Sequence, residues 1–176
     1  MSLSVALVCL VVGIADGDTL TARCPTGDAA HPYNQVKVRL AEIDAPEKSQ
    51  PFGQRSKEHL SSLCYRVEAS IRETARDRYG RTVARVQCRG LDANLEMVKA
   101  GMTWAYTRYQ TDPAFPKAEL QARAARLGLW ADPHPVPPWE FRHTQQPQQA
   151  DANGCITGPK GGRYRLLADG RKQYGC

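Results

Sequence analysis

The sequence predicts an α+β fold with five strands, three helices and a small C-terminal β-hairpin-like tail. Its 176 residues are enough for one domain with a real core and a small appendage. Up to residue 88, runs of apolar residues, or of apolar and polar residues in alternation, are separated by turn residues, which is typical of strands. A stretch rich in Pro and Gln then separates the main domain from the tail.

Composition favours a globular protein with an anionic partner. Hydrophobic residues make up 41% and charged residues 24%, which excludes a disordered chain. Lys and Arg number 24 against 18 Asp and Glu, and nucleic acid is the commonest partner of a basic surface. The apolar run from Val5 to Ile14 is about half the length of a membrane span and lacks the basic start of a signal peptide. Residues 1–3 are consistent with a trimmed or tagged N-terminus.

The first three strands are predicted around a hairpin. Strands over 5–15 and 19–24 flank Asp16-Gly17-Asp18-Thr19, an Asp-Gly turn that also places an oxygen ligand at its tip. The third strand starts at Val36, with apolar and basic residues alternating. It stops at Pro46, because proline ends the ladder and holds the preceding residue extended.

Helices and two further strands complete the main domain. A helix is predicted over 54–63, and strands over 66–73 and 82–88 flank the charged turn at 75–81. Asp92 is a suitable N-cap for a second helix over 93–100. The aromatic residues at 104, 106 and 109 are placed in a loop, and Pro116 opens a third helix that runs to Leu127.

Three regions follow from this pattern. Residues 1–131 form the main domain, residues 132–153 a linker, and residues 154–176 a small basic β module. Two short strands in the module are expected over 163–167 and 172–174 on either side of Asp169-Gly170. The module is too small to fold on core burial alone, so a disulfide is expected to stabilise it.

Six cysteines, widely spread and without a Cys-x-x-Cys pair, argue against a metal cluster and for disulfides in an oxidising compartment. A secreted or periplasmic protein is therefore expected. Cys64 and Cys88 lie at nearly equal sequence distances from the charged turn at 75–81, so they are predicted to face each other across two strands. Cys9 and Cys24 lie at nearly equal sequence distances from the Asp16 turn and are predicted to pair. Buried free thiols are the alternative. The predicted pairs are Cys9–Cys24, Cys64–Cys88 and Cys155–Cys176.

Three charged motifs occur in a fixed order: Asp-Gly-Asp-Thr at 16–19, Arg-Leu-x-x-Ile-Asp-Ala-Pro-Glu at 39–47, and Asp-Arg-Tyr-Gly-Arg at 77–81. With the segment 98–106, they make the chain from about Leu7 to Trp130 resemble the staphylococcal nuclease (thermonuclease) family. The resemblance implies a five-stranded OB-like β-barrel with three helices, which agrees with the elements assigned above.

The resemblance also implies a calcium site. Asp18 and Asp44 match the family's calcium-binding carboxylates, and hard oxygen ligands are what Ca²⁺ prefers. Ala45 stands where the thermonuclease itself has a threonine that offers its main-chain carbonyl, and a backbone ligand survives that change of side chain. With so few protein ligands, water and substrate phosphate must complete the shell.

The catalytic set is likewise implied by the resemblance. Arg39 and Arg81 match the arginines that grip the scissile phosphate, for which a guanidinium fork is suited. Glu47 matches the glutamate that activates or orients the attacking water. Tyr106 and Tyr109 compete for the position of a family tyrosine that borders the nucleotide, and the alternative is that both are core or rim aromatics.

The resemblance thus implies a Ca²⁺-dependent hydrolase of low sequence specificity, an endonuclease that cleaves the 5′ P–O bond of DNA and/or RNA and leaves 3′-phosphates. A monomer is expected. The alternative is a catalytically weak nucleic-acid-binding or interaction module of the same fold. Every catalytic position is filled, which favours the enzyme. The tail is hypothesised to be a basic adaptor for nucleic acid or the cell envelope.

Overall fold

A computed structural model describes residues 6–145, 151, 153–157, 162–167 and 171–176, without the side chains of Tyr109, Gln145 and Thr157. The predicted features at residues 1–3 and at Asp169-Gly170 lie outside these ranges. The chain divides into two units, Met1–Pro135 and Val136–Cys176, which are described separately. No helix within the described ranges is long and apolar enough to cross a membrane.

The first unit is built on a closed five-stranded barrel. Antiparallel pairing gives the strand order β3-β2-β1-β5-β6, and parallel pairing of β3 with β6 closes the barrel. The two-residue strand Leu91–Asp92 extends this sheet, and the two-residue strands Ile43–Asp44 and Trp104–Ala105 pair with each other. This confirms the predicted α+β barrel. The strands are β1 (Leu7–Asp16), β2 (Thr19–Pro25), β3 (Tyr33–Leu40), β4 (Ile43–Asp44), β5 (Glu68–Arg76), β6 (Thr82–Cys88), β7 (Leu91–Asp92) and β8 (Trp104–Ala105).

The three predicted helices are present as α1 (Gly53–Cys64), α2 (Ala93–Lys99) and α3 (Ala114–Ala124). The carboxylate of Asp92 caps α2 by accepting a hydrogen bond from the Leu95 amide at 3.1 Å. Helix α3 starts two residues before the predicted position because Asp112 Oδ1 accepts from the Ala114 amide at 2.9 Å. The predicted aromatic loop contains β8 and a short 3-10 helix at Thr107–Tyr109.

The barrel core consists of alternating strand residues such as Leu20, Val38 and Val86, all fully buried. Cys9 is bonded to Cys24 across the first hairpin, with a Cα–Cα distance of 4.5 Å. Cys64 is bonded to Cys88, but the predicted geometry was wrong. Cys64 ends α1, and the residue opposite Cys88 in the neighbouring strand is Ala69.

In the second unit, residues that the sequence placed in a linker form α4 (Pro138–Gln145), with proline at the first helical position. The boundaries at 131 and 153 stay a prediction. Beyond α4, a three-stranded sheet is formed by β9 (Ile156–Thr157), β10 (Arg163–Leu166) and β11 (Lys172–Tyr174). Cys155 is bonded to Cys176, as expected for so small a sheet.

Candidate active site

Strand pairing brings the three charged motifs to one region of the barrel. In the antiparallel pairs, Thr19 lies opposite both Asp16 and Arg39. In the parallel pair that closes the barrel, Val38 lies opposite Thr82, which directly follows the 77–81 turn. The hairpin tip, the end of β3 and the charged turn are therefore neighbours, although they are up to 65 positions apart in the sequence.

The guanidinium of Arg39 contacts both carboxylates among the three predicted metal ligands. Its Nη1 lies 3.3 Å from Asp18 Oδ2, and its Nη2 lies 3.1 Å from Asp44 Oδ1. Arg39 Nη1 also donates to the main-chain carbonyl of Ile43 at 3.1 Å. Asp18 and Asp44 are 6% and 1% exposed. Two buried carboxylates thus converge on the guanidinium of Arg39, which holds them in place.

Hydrogen bonds fix the Asp18 carboxylate on the hairpin. Its Oδ2 accepts from the Ala45 amide at 2.7 Å, and its Oδ1 accepts from the Thr19 hydroxyl at 2.9 Å. The Asp18 amide donates to Asp16 Oδ1 at 3.1 Å. Burial, followed by the negative charge of Asp18, raises the pKa of Asp16 to about 7. Asp16 belonged to the predicted motif but had no role assigned to it.

This donor set suits a hard divalent cation. It offers the carboxylate oxygens of Asp18 and Asp44, which a hard cation prefers. The negative charge of Asp18, which after burial is the second cause of the raised pKa of Asp16, would be offset by such a cation. Within the described part of the chain, no group of three or more His, Cys, Asp or Glu side chains has the arrangement of a complete metal site. Water and substrate oxygens would have to supply the remaining ligands, as the sequence predicts.

Close packing by Gly17 holds the hairpin against α1. A Cβ atom at Gly17 would lie 1.8 Å from Ser56 Oγ and 3.0 Å from the Cβ of Ala45. Ser56 is itself fixed, because its hydroxyl donates to the carbonyl of Met102 at 2.7 Å. The glycine between the two aspartates is therefore needed, by its lack of a side chain, for the position of Asp18.

Glu47 lies on a tight loop three residues after Asp44. Its amide donates to Gln50 Oε1 at 3.0 Å, and its carbonyl accepts from the Gln50 amide at 2.8 Å. A Cβ at Gly53 would come within 2.1 Å of that carbonyl. The loop thus holds the Glu47 backbone against the start of α1, and the residue itself is half-buried.

Arg81 is oriented by Asp77 across the charged turn. The Arg81 Nε lies 2.6 Å from Asp77 Oδ2, and Asp77 Oδ1 accepts from the Tyr79 and Arg81 amides at 2.9 and 3.0 Å. Gly80 provides the positive φ of 77° that the turn requires. Burial tends to raise the pKa of Asp77, but the bonds with Arg81 outweigh it and lower the pKa overall.

Tyr106 directly follows β8, where Ala105 pairs with Ile43. Its amide donates to the carbonyl of Glu42 at 2.8 Å, so the tyrosine is attached to the segment between Arg39 and Asp44. The side chain of Tyr109 lies outside the described part of the structure. The choice between these tyrosines as the substrate contact stays a prediction.

Sequence reasoning missed Glu42. This residue has a φ of 65°, and its carboxylate, 7% exposed, lies 2.9 Å from Arg85. Burial raises the pKa of Glu42, but hydrogen bonds from Thr111 and Asp112, together with Arg85, outweigh it and lower the pKa overall. The available signal was a carboxylate on the apolar side of a strand pattern, only two positions before Asp44.

Comparison with known proteins agrees with this geometry. The family described as "Staphylococcal nuclease homologue" matches residues 37–132. An "Uncharacterized endonuclease" of Haemophilus influenzae is 49% identical over 138 residues, covering 78% of this chain and 74% of that protein. A protein of Escherichia coli O157:H7 with the same description is 40% identical, covering 76% and 83%. A "Micrococcal nuclease" of Shigella flexneri is 40% identical, covering 77% and 80%. Barrel, motifs and relatives agree, and the chain belongs to the staphylococcal nuclease family.

Proposed function

We propose that the protein is a Ca²⁺-dependent nuclease of low sequence specificity that hydrolyses phosphodiester bonds in DNA, RNA or both. The observation that carries the proposal is the contact of Arg39 with the two buried carboxylates of Asp18 and Asp44. The contact supports the proposal because a guanidinium, which is suited to binding phosphate, lies beside oxygens of the kind that a hard cation prefers. Relatives described as endonucleases and nucleases support the reaction class.

Arg39 and Arg81 would bind the scissile phosphate. A guanidinium can donate two parallel hydrogen bonds to phosphate oxygens, and these bonds strengthen as negative charge grows in the transition state. Both arginines are oriented beforehand, Arg39 by the two aspartates and Arg81 by Asp77. Ca²⁺ bound by Asp18, Asp44 and the carbonyl of Ala45 would polarise the phosphoryl oxygen.

Glu47 would act on the attacking water. As general base, its carboxylate takes a proton while the water oxygen bonds to phosphorus. The bond between phosphorus and the 5′ oxygen breaks, and that oxygen takes a proton from solvent and leaves as a hydroxyl. The products are a 3′-phosphate and a 5′-hydroxyl. The rigid loop that holds the Glu47 backbone supports this role.

Low specificity follows if the contacts are made to phosphates and to base faces. Phosphate contacts carry no sequence information, and stacking on an aromatic ring accepts any base. Tyr106 is the proposed aromatic contact, with Tyr109 as the other candidate. A secreted or periplasmic location is proposed from the three disulfides, which persist in oxidising compartments.

The test is hydrolysis of single-stranded DNA and of RNA in Ca²⁺ and in EDTA. We expect cleavage only with Ca²⁺, and loss of cleavage in Glu47→Gln and Arg39→Ala. Glu96→Gln is the matched control, because Glu96 is a carboxylate on α2 that pairs with Lys99. Activity that ignores EDTA would contradict calcium dependence. Binding of DNA without cleavage by the unmodified protein would favour the alternative of an interaction module.

A further inference from the structure

We infer that Glu42 is a positioning residue that locks the base-contacting segment after Tyr106 to the phosphate-binding segment between Arg39 and Asp44. The inference rests on the proposed function and extends it, because it states how the phosphate and base contacts are kept in register. The carboxylate reaches from a turn inside the second motif to a segment about 70 positions later in the chain.

One oxygen of the Glu42 carboxylate holds the later segment by three hydrogen bonds. Oε1 accepts from the Thr111 amide at 2.6 Å, from the Thr111 hydroxyl at 2.7 Å and from the Asp112 amide at 2.9 Å. At the other end of this segment, the Tyr106 amide donates to the Glu42 carbonyl at 2.8 Å. A single residue thus fixes both ends of the stretch from Tyr106 to Asp112.

The other oxygen is fixed by Arg85. Glu42 Oε2 lies 2.9 Å from Arg85 Nη1, which also lies 3.2 Å from Asp112 Oδ2. The remaining guanidinium nitrogens of Arg85 bond to Asp92, the N-cap of α2. The Arg85 guanidinium carbon lies 4.8 Å from the centre of the Phe115 ring on α3. Glu42 is therefore connected to both helices that flank the segment.

The backbone of Glu42 explains why this connection bears on the site. Its left-handed conformation, with φ of 65°, is unusual for a residue with a side chain and requires support from its surroundings. The turn lies between Arg39 and Asp44, which meet across it at 3.1 Å. The Tyr106 segment is therefore attached, through Glu42, to the same turn across which these two groups meet.

The experiment compares two fluorescent single-stranded oligonucleotides, each with a single cleavable phosphodiester. They differ only in that the second has abasic sugars on both sides of that bond. In Glu42→Gln, one of the two carboxylate oxygens becomes an NH₂ group. That group faces donors in either orientation: Arg85 if the amide oxygen accepts from Thr111 and Asp112, or Thr111 and Asp112 if it accepts from Arg85. We expect KM for the base-bearing substrate to rise about tenfold, the scale of a lost hydrogen bond to a charged group, with kcat changed much less.

The abasic substrate distinguishes a role of Glu42 in positioning the base contact from general damage to the active site. If Glu42 acts through the base contact, KM for this substrate stays at the wild-type value in Glu42→Gln. In a double-mutant cycle with Tyr106→Leu, the two increases in KM should be less than additive. Glu96→Gln should change neither substrate. Equal loss on both substrates, or additive effects with Tyr106→Leu, would overturn the inference.

A milder variant covers the case in which Glu42→Gln does not fold. Thr111→Val removes only the hydroxyl donor from an exposed residue and leaves both amide bonds in place. We expect an increase in KM of about threefold, confined to the base-bearing substrate. An unchanged KM would overturn the inference. Absence of cleavage of either substrate by the unmodified protein would instead reject the proposed function.

Discussion

Arg39 Nη2, in β3, lies 3.1 Å from Asp44 Oδ1, in β4, although the two residues are only five positions apart in the sequence. The left-handed turn at Glu42 folds the chain back so that this contact can form. Asp44 is 1% exposed, so its charge requires a partner. The same carboxylate thus orients the phosphate-binding arginine and serves as a proposed cation ligand.

Replacing Asp44 tests both roles. We expect Asp44→Asn to lower kcat by at least about 10²-fold, because an oriented charge beside the reacting phosphate is lost. It should also abolish the rise in melting temperature that Ca²⁺ produces with a non-hydrolysable nucleotide, because a ligand stabilises only the state that binds it. Both quantities are read from initial rates and from thermal unfolding with and without Ca²⁺.

Asp28→Asn provides the control for this charge change. Asp28 is exposed and lies in the loop before β3, where it accepts from the Ala30 amide. We expect wild-type activity and wild-type stabilisation by Ca²⁺. If Asp44→Asn kept Ca²⁺-dependent cleavage at the wild-type rate, the assignment of Asp44 to the cation site would be wrong.

Gly17→Ala tests the packing of the hairpin tip. The added methyl would lie 1.8 Å from Ser56 Oγ, so the hairpin or α1 has to move. We expect a loss in the free energy of unfolding of about 1–3 kcal/mol, the usual cost of overpacking, measured by urea denaturation. Activity should fall further than stability explains, because Asp18 moves with the hairpin.

Gly13→Ala is the matched substitution, in β1 four positions before Gly17. A Cβ at Gly13 would meet nothing closer than the Cβ of Thr21 at 3.7 Å, an ordinary contact. We expect a change in the free energy of unfolding of less than about 0.5 kcal/mol. Equal effects of the two substitutions would mean that the replacement of a glycine by alanine in itself, not close packing at Gly17, decides the result.

Local signals in the sequence predicted the fold well. The Asp-Gly turn at 16–19 and the charged turn at 77–81 place the strands on either side of them, and both hairpins are present. The N-cap at Asp92 placed α2 within a residue. These features depend on neighbouring residues only, for which propensity and periodicity are informative.

Contacts between distant residues were beyond the sequence pattern. The Glu42–Arg85 ion pair joins residues 43 positions apart. Glu42 is an unspecified position of the second motif, and Arg85 lies outside all three motifs. The position of Cys64 at the end of α1 was also missed, because counting from a turn assumes that both cysteines lie on strands. The site motifs could be predicted from the resemblance, whereas the groups that hold them in place follow from the tertiary structure.

Asp77 gives a prediction about acid stability. Its pKa in the folded state lies below the ordinary value of 3.8, so its interaction with Arg81 stabilises the fold above that pH. As the pH falls through the lowered pKa, Asp77 becomes protonated and this contribution is lost. In Asp77→Asn, the melting temperature should therefore fall less steeply with decreasing pH in the range below 3.8.

The same variant bears on the orientation of Arg81. An amide at position 77 can still accept from the backbone, but it no longer pairs as a charge with Arg81 Nε. We expect a severalfold loss of kcat at neutral pH, with the affinity for Ca²⁺ unchanged. Glu73→Gln removes an exposed carboxylate that pairs with Arg76 and serves as the control. If the melting temperature of the wild-type protein did not change with pH below 3.8, the stabilising role of Asp77 would be contradicted.

The disulfide between Cys64 and Cys88 is expected to stabilise the barrel because it restricts the unfolded chain. It closes a loop over a sequence separation of 24 residues and joins the end of α1 to β6. Chain entropy gives about 3 kcal/mol for a loop of this size. Cys64→Ala combined with Cys88→Ala should lower the free energy of unfolding by about this amount in urea.

Dithiothreitol should then destabilise the variant less than the wild type, because only the other disulfides remain to be reduced. If the variant and the wild type lost equal stability on reduction, this bond would not contribute to the stability of the barrel.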